Sequence, residues 1–137
     1  MLKANKNLMI TSYNFYFCHI EIYEDYVKAI MKEGITVLPE HNDVLLLITE
    51  KHFKNKPFVY ITHRINSYAV NPTVYLETAK ISNVIGFAVV SADHRQKIQT
   101  KLEKAFFNKE FKQFDTMELA LKWKDNMIKK YRNQKIV

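Results

Sequence analysis

The stretch YITHRINSYAVNP, residues 60–72, gathers side chains able to do polar chemistry: His63 and Arg64, then Ser67 and Tyr68, then Asn71-Pro72 and, one residue on, Thr73. An arginine beside the free amides of a helix start is suited to a carboxylate or a phosphorylated group. A serine near a histidine is two-thirds of a nucleophilic triad, but the third member, an orienting acid, is missing. No acidic residue lies between Glu50 and Glu77, and the chain has no Gly-x-Ser-x-Gly elbow. The segment therefore predicts binding rather than catalysis, with His63, Arg64, Ser67, Tyr68 and Thr73 as candidate partner- or anion-binding residues and no catalytic residue. The plain alternative is a well-capped loop, with His63 bonded to a loop carbonyl and Arg64 lying on the surface. On either reading Arg64 is expected to be exposed, so that Arg64→Ala leaves stability nearly unchanged.

The rest of the composition removes whole classes of chemistry. Only two glycines occur, Gly34 and Gly86, so neither a Walker loop nor a dinucleotide fingerprint can be built. The single cysteine, Cys18, forms no intramolecular disulfide and reads as a small buried hydrophobe. The five histidines show no metal-ligand spacing on a shared helix face, so no metal and no cofactor is expected. No apolar run approaches the ~20 residues of a membrane span, and the expected location is cytoplasmic. The formal charge of +7 is uneven. Residues 1–92 hold 9 basic and 8 acidic side chains; residues 93–137 hold 12 and 6. The excess is nearly all lysine interspersed with acids, which suits solvated amphipathic helices, and no nucleic-acid partner is expected. The aromatic run NFYFCHIEIY lacks an RNA-binding Gly-Phe pattern and reads as core and edge packing, with a homodimer contact as a further use.

These residues must be positioned by elements whose signals are clear. YNFYFCHIEIY, residues 13–23, and YVKAIMKE, residues 26–33, read as a β-hairpin turning at Glu24-Asp25. Pro39 opens a helix that Lys56-Pro57 closes. PFVYITH is a short apolar strand, and Asn71-Pro72 caps the next helix. NVIGFAVVS, apolar on both faces, belongs inside a sheet covered by helices. Ser91 or Asp93 then caps a helix in which Ile98, Leu102 and Phe106, four residues apart, are expected to face the core. EFKQFD is a last strand. Asp115 and Glu118 form a capping box for a final helix with Ala120, Trp123, Met127, Ile128 and Tyr131 as its apolar stripe. The fold class is α/β: an N-terminal β-hairpin followed by βαβαβα units, a mixed, mostly parallel sheet of about five strands with about four helices, in one domain spanning residues 1–137. Residues 1–12 and 132–137 are expected to be flexible.

That order resembles the STAS fold of bacterial anti-sigma-factor antagonists, the SpoIIAA-like proteins. HFKNKPFVYITHRINSYAVNP, GFAVVS and WKD are closer still to small bacterial proteins described as STAS/SEC14-like, over roughly Phe17 to Ile128. The resemblance implies a non-enzymatic regulatory domain working by contact with an as yet unknown protein partner. In the antagonists a serine of an Asp-Ser-Ser-Gly motif is phosphorylated at the helix start after a central strand. The corresponding place here holds Ser67 and Thr73, with no Asp-Ser pair and no glycine. The SEC14-like branch implies an alternative, a small-ligand or lipid carrier, which needs an apolar cavity that the many Phe and Tyr side chains work against.

Overall fold

The computed structural model describes residues 8–135. Thr11–Asn14 (β1), Cys18–Ile22 (β2) and Tyr26–Met31 (β3) form an antiparallel meander. The expected hairpin thus has one strand more. The aromatic run read as continuous reverses at residues 15–17, where Phe15 N–H donates to the Cys18 carbonyl at 2.8 Å and Phe17 turns into the core. There follow Thr36–Val37 (β4), a single 3-10 turn at Pro39–His41, Asn42–His52 (α1), Phe58–His63 (β5) and Ala69–Val70 (β6). Val74–Ala79 (α2), Val84–Val90 (β7), His94–Glu103 (α3), Glu110–Phe114 (β8) and Met117–Lys135 (α4) complete the chain.

Six strands share one sheet in the order β1-β2-β3-β5-β7-β8, and β3, β5, β7 and β8 run parallel. The two-residue strands β4 and β6 pair separately. β7 lies between β5 and β8 and is buried on both faces except at Ile85, as its unbroken apolar sequence requires. On one face Ile20, Val27, Phe58, Tyr60, Phe87 and Val89 pack under α1 and α2. Phe87 is the hub there, with ring centroids 4.9 Å from Tyr60, 5.3 Å from Tyr75 and 5.1 Å from Phe111. On the other face Tyr26, Val59, Ile61, Ala88 and Val90 meet α4 through Ala120. Gly86 lets α4 come close, since a Cβ there would sit 3.0 Å from Cη2 of Trp123.

Two helical expectations are corrected. α4 is capped by Thr116, whose Oγ1 accepts the Leu119 N–H at 3.2 Å, while Asp115 is drawn away to Lys97 at 2.8 Å. α3 is rotated from its expected face: Ile98 is 51% exposed and Leu102 70%, whereas Thr100 and Glu103 are buried, and Phe106 is half-buried. Of the termini expected to be flexible, residues 1–7 and 136–137 lie outside the described residues, Thr11 and Ser12 belong to β1, and α4 continues through Lys135.

One member of α4's inner stripe has a charge. Lys124 lies one turn from both Ala120 and Ile128 and is 1% exposed. Its Nζ is 2.9 Å from Oδ1 of buried Asp25, 2.5 Å from Oδ1 of Asp125 and 5.1 Å from the Tyr26 ring centroid. Both Asp25 side-chain oxygens are without a hydrogen bond, so this pairing is Coulombic. Removing one partner of such a pair strands a charge in the interior. Lys124→Met should lower the unfolding free energy by about 3–5 kcal/mol, and adding Asp25→Leu should recover most of it, as read by urea denaturation.

Candidate functional site

β5 delivers His63 and Arg64 to opposite sides of the sheet because successive strand residues alternate. His63 is in phase with Val59 and Ile61 and emerges on the α4 side, in the field of Lys28 and Glu21. Arg64 is in phase with Tyr60 and Thr62 and enters the layer below α1, α2 and α3. The two residues that are adjacent in sequence therefore do not form one site.

Arg64 is 4% exposed, which corrects the expectation of a surface arginine. Its Nη2 is 3.0 Å from Oε1 of Glu103, its Nη1 donates to Thr100 Oγ1 at 3.3 Å, and its Nε donates to the Tyr68 hydroxyl at 3.0 Å. The guanidinium carbon is 5.0 Å from the Tyr68 ring centroid. Glu103 is saturated in turn: Tyr75 donates to Oε1 at 2.7 Å and Gln99 to Oε2 at 2.8 Å. Burial, reinforced by Glu103, pushes the Tyr75 phenol well above its ordinary value. Two buried charges with this many partners form a closed internal network, so a ligand anion at Arg64 would have to displace Glu103.

The remaining candidates surround this network. Ser67 is exposed, and its N–H donates to Glu33 Oε2 at 2.7 Å while its carbonyl accepts the Gly34 N–H at 2.8 Å. Tyr68 is half-buried on Arg64. Thr73 is exposed, and the Asn71 Oδ1 accepts its N–H at 3.1 Å and its hydroxyl at 2.7 Å, the local bond expected of an asparagine at a helix entry. Gln96 of α3 donates to the Asn66 carbonyl at 3.3 Å, so loop and helix are joined twice. Glu103, Thr100 and Gln99 were invisible to sequence reading because α3 lies far along the chain, and Tyr75, in the helix directly after the segment, carried no local sign of its carboxylate partner. The available signal was the polar spacing Gln96, Thr100, Glu103, which marks a second face on α3.

A cavity of about 40 Å³ opens between the sheet and α1 and α2, lined by Ile20, Leu45, Tyr60 and Phe87 and bounded by Arg64 and Tyr68. That volume takes one or a few waters; small-molecule sites run to roughly 300–1,000 Å³. Among the described residues no group of three or more His, Cys, Asp or Glu is placed to hold a metal ion, and no helix is long and apolar enough to cross a membrane.

Two measurements follow from this geometry. Arg64→Ala, leaving Glu103 buried and unpaired, should cost about 3–5 kcal/mol, with the double replacement Arg64→Met and Glu103→Leu restoring most of it. His63 is held below its ordinary pKa of 6.5 by burial and by Lys28, against Glu21. The unfolded chain therefore takes up this proton first. The stability contributed by neutral His63 is complete above about pH 6.5 and is lost as pH falls through the lower folded-state value. His63→Gln should flatten the fall in melting temperature between about pH 7 and pH 5, leaving the part due to His52, which burial and Lys51 also lower.

Comparison with known proteins supports this architecture. No protein-family model matches the chain, and no curated protein matches it significantly. Among solved structures, an uncharacterized protein of the DUF3478 family with a SpoIIAA-like fold, from Shewanella loihica PV-4, superposes with a TM-score of 0.52 over 83% of this chain and 98% of that one, at 19% identity. The resemblance read from the strand and helix motifs thus holds at the level of the backbone: this chain has a SpoIIAA-like fold, mixed α/β with a mostly parallel sheet.

Proposed function

We propose that this chain is a non-enzymatic, STAS-type interaction domain with a regulatory role, acting in the cytoplasm through the surface formed by the 64–73 loop and α3. The observation that supports it best is the Arg64–Glu103 pair. It spends the segment's one cation internally and fixes loop to helix, leaving a preorganised rim on which Ser67 and Thr73 are exposed. A rigid rim suits protein recognition, since little ordering is required on contact. The anion-binding role expected of Arg64 then passes to its positioning effect, with Ser67, Tyr68 and Thr73 at the contact and His63 on the other side of the sheet.

The carrier alternative rests on the 40 Å³ cavity; a lipid needs several times that space. Pairing of two copies would have β1 as its natural seam. It is an edge strand entered through exposed Leu8, Met9 and Ile10 and carries no charged side chain, whereas the opposite edge, β8, carries Glu110 and Lys112.

Placing a photo-crosslinking residue at Ser67, and separately at Asn126 on the exposed side of α4, tests the proposal in host cells. A discrete heterologous adduct at Ser67 and none at Asn126 is expected. Equal or absent adducts at the two positions would remove the support for this surface.

A further inference from the structure

α3 is an amphipathic helix mounted with its polar side inward. Thr100 and Glu103 face Arg64 and Tyr75, and Gln96 and Gln99 complete the inner bonds. The opposite side presents Ile98 and Leu102, both exposed and four residues apart, and the 3-10 turn that follows α3, Lys104–Phe106, continues the stripe with exposed Ala105. A helix that served only to cover the sheet would turn that stripe inward, because burying aliphatic surface stabilises more than burying an ion pair does. The buried pair instead holds the stripe in solvent. Its surroundings are basic: Arg95, Lys101 and Lys104 are exposed, while Asp93 caps the helix by accepting the Arg95 and Gln96 amides and Glu103 is buried.

Resting on the interaction reading above, we propose that the outer face of α3 is the docking surface for an amphipathic helix of a partner protein, with an aliphatic seam and acidic flanks. Charge complementarity selects the flanks: Arg95 and Lys101 stand on either side of the apolar stripe. The narrowness of the stripe selects a helix. A narrow seam of two aliphatic side chains one turn apart, continued by Ala105 in the turn that follows, matches helix–helix packing, whereas an interfacial membrane helix has a broad apolar face with aromatic residues. The seam supplies apolar anchors, and the charges supply orientation and association rate.

The probes are two synthetic amphipathic peptides of one length with the same leucine and isoleucine seam, flanked by glutamate in one and by lysine in the other, and vesicles of phosphatidylglycerol. Binding is followed by fluorescence anisotropy for the peptides and by co-sedimentation for the vesicles. Expected is saturable binding of the glutamate peptide, at least roughly tenfold tighter than the lysine peptide, and weakened roughly tenfold by Leu102→Glu or by Ile98→Ser. Leu76→Glu, on α2 at an exposure close to that of Ile98, should leave it intact, and unaltered melting temperatures establish that each variant is folded. Equal binding of the two peptides, no binding, or indifference to Leu102→Glu overturns the proposal; vesicle binding that depends on Leu102 while the peptides fail assigns the face to a membrane instead. A Ser67 adduct in cells that persists in Leu102→Glu overturns this inference while leaving the interaction reading in place.

Discussion

The chain leaves β5 at Arg64 and commits that guanidinium to Glu103, 3.0 Å away on a helix 39 residues later. Most of what surrounds the candidate site depends on this contact. A charged pair this deep is a poor source of net stability, since desolvation consumes much of its Coulombic gain. It is effective at choosing one arrangement, because any other rotation of α3 would carry Glu103 away and leave the Arg64 charge buried and unpaired. Tyr68 and Thr100 on the arginine, and Tyr75 and Gln99 on the carboxylate, then fix the loop, α2 and α3 with respect to one another.

The sheet was readable because its signals are local. β-branched and aromatic residues in VIGFAVV and FVYITH give strands from local sequence, whereas the start of the next helix is shifted: Asn71 accepts the Thr73 amide, but α2 begins at Val74 behind Thr73, which makes no side-chain cap bond. The meander at the N-terminus was less readable, since a strand reversal inside NFYFC uses no glycine, proline or asparagine-glycine signal. The start of α4 shows a finer limit. Asp115 and Thr116 are both good caps, and Lys97, from another element, decides between them by engaging the aspartate.

The face of α3 was misread for a physical reason. Hydrophobic periodicity assigns a stripe to the core on the assumption that the interior is apolar at that position. Here the interior beside α3 holds an arginine supplied by β5, and the helix answers it with Glu103 and Thr100. The same holds for Lys124, which sits in phase with Ala120 and Ile128 and is answered by Asp25 from the β2–β3 turn. In both places a cation on one element and an acid on another must be paired in three dimensions before either reads correctly. Periodicity along one helix contains only half of that information.

These two internal pairs also explain what the basic balance of the C-terminal third amounts to at the surface. Residues 93–137 carry 12 basic and 6 acidic side chains, but the acids are spent locally to an unequal degree. Glu103 is buried against Arg64, Asp93 is bonded to the start of α3, Asp115 is held by Lys97, and Asp125 contacts Lys124. Arg95 and Lys101 therefore stand on the outer side of α3 without an acid of that helix beside them. Charge and apolar stripe thus share one cause. The acid that would have neutralised the outer face of α3 has been turned inward to hold the loop, and the aliphatic residues that would have filled the interior have been turned outward in exchange. A partner that supplies both acids and aliphatic side chains restores on the outside what the Arg64–Glu103 pair removed.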